Sequence, residues 1–183
     1  MKYIWFCHED LYNQDECDHL KNLLSVNDNT GITDISPSDS IKTAVVKHSW
    51  YHNELKLSLD KMIQTVININ KNYFGFDLYP LTSYDSVNLN IYSEDNNGQY
   101  SWHVDGVIDQ PYDVKLTAIL NLTDEIITGG DFQFYPSAPE TIESFKKQGS
   151  LIVFPSFIQH RVTPVLKGTR KTLALWMSGP SWK

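Results

Sequence analysis

The spacing of apolar and polar positions changes character once along this chain. Up to about residue 80 helical periods dominate, and from residue 84 onward the period is mostly two. The opening KYIWFC reads as a strand. Asn13 then offers an N-cap with Glu16 three residues on, in capping-box position, and Cys17, Leu20, Leu23 and Leu24 follow at helical spacing. Residues 26–42 turn polar, with Pro37 among them, and read as a long surface loop of the kind that often forms a lid. TAVVKHSWY (43–51) predicts a strand. Residues 52–74 predict the longest helix, with Leu55, Leu59, Met62, Ile63, Val66, Ile67 and Tyr73 in one apolar stripe ended by Gly75. Such a helix packs on the outside of a sheet.

The second half predicts short strands in SVNLNIY, QYSWHVD, DVKLTAILNLT, GDFQFYP, GSLIVFP, HRVTPV and RKTLALWMS. Runs of this kind build antiparallel sandwiches or barrels, jelly rolls included. In SVNLNIY the polar Asn88, Asn90 and Tyr92 alternate with Val87, Leu89 and Ile91. The polar set therefore shares one face, as a polar pocket requires. No repeat or linker interrupts the pattern, so the expectation is one domain over 1–183, with 1–80 supporting a core at 84–180.

Composition narrows the function classes. Hydrophobic residues at 41% and aromatic residues at 13% exclude a disordered chain. A net charge of −7 without a Lys/Arg cluster argues against nucleic acid as the primary partner. Cys7 and Cys17 have no zinc spacing and make no disulfide framework. No apolar run reaches membrane-spanning length and the opening is no signal peptide, so no membrane partner and a cytoplasmic setting are expected. Oligomeric state leaves no mark.

The chemistry centres on His103, Val104 and Asp105. On a strand, His103 and Asp105 project to one face. Two His and one carboxylate hold Fe(II) on one face of its octahedron and leave the opposite positions open. Alone the pair is a weak sign, because polar pairs at strand ends are common. His160 supplies a second imidazole 57 residues on (160 − 103), and Arg170 follows ten later (170 − 160). This order, with Tyr92, Gly98, Gln99 and Tyr100 ahead of it, resembles the Fe(II)/2-oxoglutarate-dependent dioxygenases, most of all their prolyl 4-hydroxylase-type branch. The resemblance runs from Tyr92 to Trp176.

The resemblance implies a mainly β (α+β) fold, a double-stranded β-helix or jelly-roll, cupin-like barrel with flanking N-terminal helices. It implies His103, Asp105 and His160 as catalytic metal ligands, with His103 and Asp105 ending one barrel strand and His160 beginning another across the mouth. Arg170 would anchor the distal carboxylate of 2-oxoglutarate, a task suited to a rigid two-pronged cation. Thr172 on the same face would add a hydroxyl, Tyr92 its phenol, and Asn121 a further contact. Ile119, Phe132, Val162 and Trp176 match lining positions. Asp105, standing where related halogenases carry a small residue, favours hydroxylation.

The implied cofactors are Fe(II), 2-oxoglutarate and O2, with ascorbate as an accessory. The implied reaction is hydroxylation of a peptide or protein proline, coupled to conversion of 2-oxoglutarate to succinate and CO2. Free amino acids and other small molecules are the alternative substrates. A zinc hydrolase could use the same ligands, but would not explain Arg170. A non-catalytic cupin-like binding protein would be expected to drop a ligand. His8, His19, His48 and His52 are read as ordinary polar groups, and Trp50 and Trp102 as packing. The 26–42 loop and GVIDQPYDV after Asp105 are expected to rim the mouth.

Overall fold

A computed structural model describes residues 4–26, 42–106, 111–135 and 142–182. In chain order it forms β1 (Phe6–His8), α1 (Gln14–Val26), β2 (Lys42–Thr43), β3 (Val45–Trp50) and α2 (Asn53–Ile69). There follow β4 (Ser86–Ser93), β5 (Gln99–His103), β6 (Tyr112–Asn121), β7 (Thr128–Gly129), β8 (Phe132–Phe134) and β9 (Leu151–Pro155). The last three are β10 (His160–Val162), β11 (Val165–Lys167) and β12 (Thr169–Pro180). The 26–42 loop, apart from its ends, and positions 107–110 after Asp105 lie outside the described residues.

Every strand pairing among the described residues is antiparallel. Six strands make a large sheet in the order β1-β9-β6-β12-β4-β3, four make a smaller one, β2-β5-β10-β8, and β11 pairs with β7. The fold is thus mixed α/β with several antiparallel sheets.

The central strands of the large sheet are buried on both faces, and the strand period of two sorts their residues. Val87, Leu89, Leu116, Ala118, Leu120, Leu173 and Leu175 pack with Leu20 and Leu24 of α1 and Leu55, Leu59, Met62 and Val66 of α2. Each such Leu contributes about 1.5–3 kcal/mol by leaving water. On the opposite face Val46, Tyr92, Ile119, Ile152 and Phe154 meet Phe132, Phe134 and Val162 of the smaller sheet.

The capping box forms as expected. Glu16 N–H donates to Asn13 Oδ1 at 3.0 Å and Asn13 N–H to Glu16 Oε2 at 2.8 Å, which satisfies two orphan donors at the start of α1. The stripe of α2 differs from expectation at two positions. The buried set is Leu55, Leu59, Met62, Ile63, Val66 and Ile69, whereas Ile67 and Tyr73 are each 40% exposed. Ile67 lies one residue off the stripe, and Tyr73 sits in a π-helical turn (Asn70–Phe74) that shifts the helical phase.

Two expected strands are each broken. TAVVKHSWY divides at Ala44 because β2 joins the smaller sheet and β3 the larger. HRVTPV divides around Thr163–Pro164, since proline has no N–H to extend a ladder. The opening strand pairs with β9 from Phe6 to His8, with Ile4 and Trp5 outside it, and Lys2 and Tyr3 lie outside the described residues.

Candidate metal centre and its cavity

His103 is the last residue of β5, and Asp105 lies two residues beyond the strand, not within it. Asp105 is fixed instead by its own contacts. Its N–H donates to Ser156 O at 2.9 Å, and the Thr117 hydroxyl of β6 donates to its Oδ2 at 2.6 Å. His160 opens β10 and pairs directly with His103, so the imidazoles are cross-strand neighbours with centroids 4.1 Å apart. The expected position across the mouth is therefore corrected. Two strands that look remote in sequence are hydrogen-bonded partners.

Both imidazoles have the same orientation. Nδ1 of His103 lies 2.8 Å from Ser101 O, and Nδ1 of His160 lies 2.9 Å from Ile158 O. A carbonyl only accepts, so each Nδ1 carries the proton and each Nε2 offers a lone pair. The two Nε2 atoms stand 3.8 and 3.6 Å from the Asp105 oxygens, too far for hydrogen bonds. All three donor atoms fall within 4.8 Å of one another, a separation one ion can bridge. This is the 2-His-1-carboxylate facial set, with its tautomers fixed by the backbone. Among the described residues no other group of His, Cys, Asp and Glu is arranged this way.

The set is shielded, with the side chains of His103, Asp105 and His160 only 8%, 13% and 3% exposed. Burial first, and then the neighbouring His160, hold His103 down at about 4. It is therefore neutral at ordinary pH, as ligation requires. The Tyr100 ring stacks on His103 with centroids 3.4 Å apart. Thr117 and Tyr100 had no assigned role in the sequence. Thr117 was detectable through its alternation with Ile119 and Asn121 on one face of β6.

One cavity holds the three ligands together with Tyr92, Arg170 and Thr172. Tyr92 and Arg170 are paired across β4 and β12, and Thr172 shares the Arg170 face. Gly98 packs against the backbone of Tyr92. A Cβ there would come within 2.7 Å of the Tyr92 Cα, so only glycine fits where the following turn folds back.

Arg170 is 5% exposed, and among the described residues no carboxylate pairs with it. Its contacts are Thr172 Oγ1, 3.5 Å from Nη1, and the rings of Tyr92 and Phe145 at 5.4 and 5.9 Å. Burial lowers its pKa from the ordinary guanidinium value. Burial likewise raises the Tyr92 phenol to about 12, although the Arg170 charge opposes this, so Tyr92 stays a neutral donor. An uncompensated buried cation is costly, and a bound carboxylate would relieve it.

Asn121 stands differently from its sequence-based expectation. Its Nδ2 donates to Phe145 O at 3.0 Å and Lys146 O at 2.8 Å, and its Oδ1 accepts from Thr123 N–H at 3.0 Å. Both ends of the amide are thus engaged with backbone. Ile119, Phe132, Val162 and Trp176 line the metal cavity, while Trp102 packs elsewhere, under Arg161 at 4.5 Å. An adjoining cavity of about 320 Å³, lined by Tyr84, Ser86 and Tyr112, shares Asp105 and Trp176 with the metal cavity. His19 pairs with Glu54 at 3.5 Å on the helices, away from the metal set.

The model of the 2OG-Fe(II) oxygenase superfamily matches residues 87–178, which is 92 (178 − 87 + 1) of the 183 residues. That span contains the metal set, Tyr92, Arg170 and Thr172. The chain belongs to the 2OG-Fe(II) oxygenase superfamily. A PKHD-type hydroxylase of Synechococcus sp. (strain CC9605) is 27% identical over 142 residues. The match covers 74% of this chain and 61% of that relative, less than two thirds of its length.

Two solved structures share the fold. A viral collagen prolyl hydroxylase from Paramecium Bursaria Chlorella virus-1, in its 2OG complex, has a TM-score of 0.71 at 17% identity over 97% of each chain. A prolyl-4-hydroxylase of Pseudomonas putida has a TM-score of 0.72 at 19% identity, over 98% of this chain and 95% of its own. Among the described residues no helix is long and apolar enough to cross a membrane.

Proposed function

We propose that this protein is an Fe(II)- and 2-oxoglutarate-dependent hydroxylase that acts on a proline of a peptide or protein. The observation that carries this reading is the buried Arg170, without a carboxylate partner among the described residues, in the same cavity as His103, Asp105 and His160. A metal hydrolase needs the three ligands but has no use for a buried cation beside them. A dicarboxylate that chelates the metal at one end needs both.

His103 and His160 would hold Fe(II) through Nε2 and Asp105 through a carboxylate oxygen, a donor set that fits this ion. Bound iron would supply activation of O2, coupling hydroxylation to conversion of 2-oxoglutarate to succinate and CO2. Arg170 anchors the distal carboxylate with charge-assisted hydrogen bonds. Thr172 and the neutral Tyr92 phenol add donors beside it. Asn121 braces the backbone behind the anchor. Ile119, Phe132, Val162 and Trp176 exclude water, and ascorbate would serve as an accessory reductant. The sheets are read as a double-stranded β-helix within one domain, in a reducing, cytoplasmic setting where Cys7 and Cys17 stay free. The proline assignment is supported by the names of the structural neighbours.

The test needs no substrate at first. Protein prepared without O2 is loaded with Fe(II) and titrated with 2-oxoglutarate, with calorimetry beside the visible charge-transfer band. A saturating band with one equivalent bound is expected. Tight zinc binding with no affinity for 2-oxoglutarate would overturn the reading. Succinate release is then compared between prolyl peptides and free amino acids, and stimulation by amino acids alone would move the substrate to small molecules.

A further inference from the structure

Arg170 and Phe132 are the side chains shared by two cavities. One is the metal cavity. The other, about 490 Å³, lies on the far side of the guanidinium, walled by the 125–131 turn, Asn121, Ile142, Phe145 and Lys146. The guanidinium carbon sits between one ring from each side, Tyr92 at 5.4 Å and Phe145 at 5.9 Å.

Little holds it there. Among the described residues its polar contact is with Thr172 at 3.5 Å, the limit of a hydrogen bond. Gly130 lets the stem lie close against the 125–131 turn, for a Cβ there would come within 3.3 Å of Arg170 Cδ. Asn121 cannot take over an incoming anion, since its amide is spent on backbone. Lys146 adds a second cation to the outer wall, tied to Asp131 at 3.4 Å and Glu143 at 3.0 Å.

A pocket that measures the length of a diacid needs a fixed cation with solid protein behind it. Here, among the described residues, the cation has one long polar contact and a cavity behind it. We propose that the outer cavity lets Arg170 withdraw from the metal, so that the protein binds 2-oxo diacids longer than 2-oxoglutarate, 2-oxoadipate being the first. This rests on the preceding assignment of Arg170 as the anchor for the distal carboxylate. It goes further by making the anchor a movable partition. A close-fitting pocket commonly discriminates by about 10–200-fold against one methylene too many or too few. The cavity should hold that ratio to about tenfold or less.

The experiment measures affinities of 2-oxoglutarate and 2-oxoadipate for the Fe(II)-loaded protein without O2, by calorimetry and by the charge-transfer band. A second protein carries Ile127→Trp. The Ile127 side chain stands against Gly130, with Cδ1 at 3.3 Å from a Cβ placed there, so the larger ring fills the outer cavity. Its affinity for 2-oxoglutarate also reports whether the variant has folded. The expected result is 2-oxoadipate within about tenfold of 2-oxoglutarate in the parent. In the variant 2-oxoadipate should fall more than tenfold further while 2-oxoglutarate is unchanged. Normal 2-oxoglutarate binding with 2-oxoadipate rejected by the parent would overturn the inference and leave the proposed function intact. So would a variant that melts like the parent yet loses both ligands equally or neither. Absence of 2-oxoglutarate binding to the parent would overturn the proposed function, and this inference with it.

Discussion

The two faces of the large sheet are made by the same strands and solve opposite problems. Toward the helices, β4, β6 and β12 present Val87, Leu89, Leu116, Leu120, Leu173 and Leu175, all buried against α1 and α2. Toward the smaller sheet, the same strands present Asn90, Tyr92, Thr117, Arg170 and Thr172, also buried but polar or charged. The first face supplies stability. The second gives some of it up, leaving, among the described residues, the Asn88 and Asn90 amide oxygens without partners and a guanidinium without a counter-ion. A site can be this polar because the stabilising contacts lie one side-chain layer away.

The division can be broken from either side. Asp105→Ala removes a ligand and the acceptor of Thr117, and should abolish metal binding and turnover while thermal unfolding of the metal-free protein changes little. Measured metal affinity in that variant equal to the parent's would remove Asp105 from the set. Leu89→Ala should do the reverse, costing about 2–5 kcal/mol in denaturant unfolding. Its metal stoichiometry should be retained under native conditions.

Arg170→Met tests the polar face more finely. Replacing an unpaired buried charge with an apolar side chain should leave the ligand-free protein as stable or raise it by about 1–4 kcal/mol. The same change should eliminate 2-oxoglutarate binding, with Fe(II) still held. A melting temperature that drops sharply would mean that Arg170 has a structural partner.

The smallest expected effect is on pH. His103 sits at about 4 in the folded protein against an ordinary value of 6.5, so the unfolded chain takes up its proton first. The metal-free protein should therefore lose stability as pH falls from about 6.5 toward 4, with this contribution levelling off below. Acid titration of unfolding in parent and His103→Gln would separate this group from the carboxylates, the variant losing less over that window.

The polar face was legible in the sequence where chemistry and period coincide. Asn90 and Tyr92 alternate with Leu89 and Ile91, and Arg170 and Thr172 with Lys171 and Leu173, so strand and facing could be read together. The metal set was legible from residue types and order. What stayed hidden depends on pairing across distance in the chain. His160 lies beside His103 because β10 pairs with β5, and no local pattern reports a register. The division at Ala44 arises because neighbouring segments join different sheets. Asn121 was legible as a polar residue facing inward, but its use was set by the backbone of 145–147, which only the folded chain brings to it.

The position of β12 has a consequence for how the molecule is made. It is the last strand in chain order, yet it lies in the middle of the large sheet, between β6 and β4. On the ribosome, β4 and β6 emerge well before the strand that joins them, each with an open edge able to pair with a neighbouring nascent chain. Arg170 and Thr172 arrive on that closing strand. Closure of the sheet and arrival of the proposed anchor are therefore one event, and a chain arrested before residue 169 would expose sticky edges and lack the two residues proposed to hold the co-substrate.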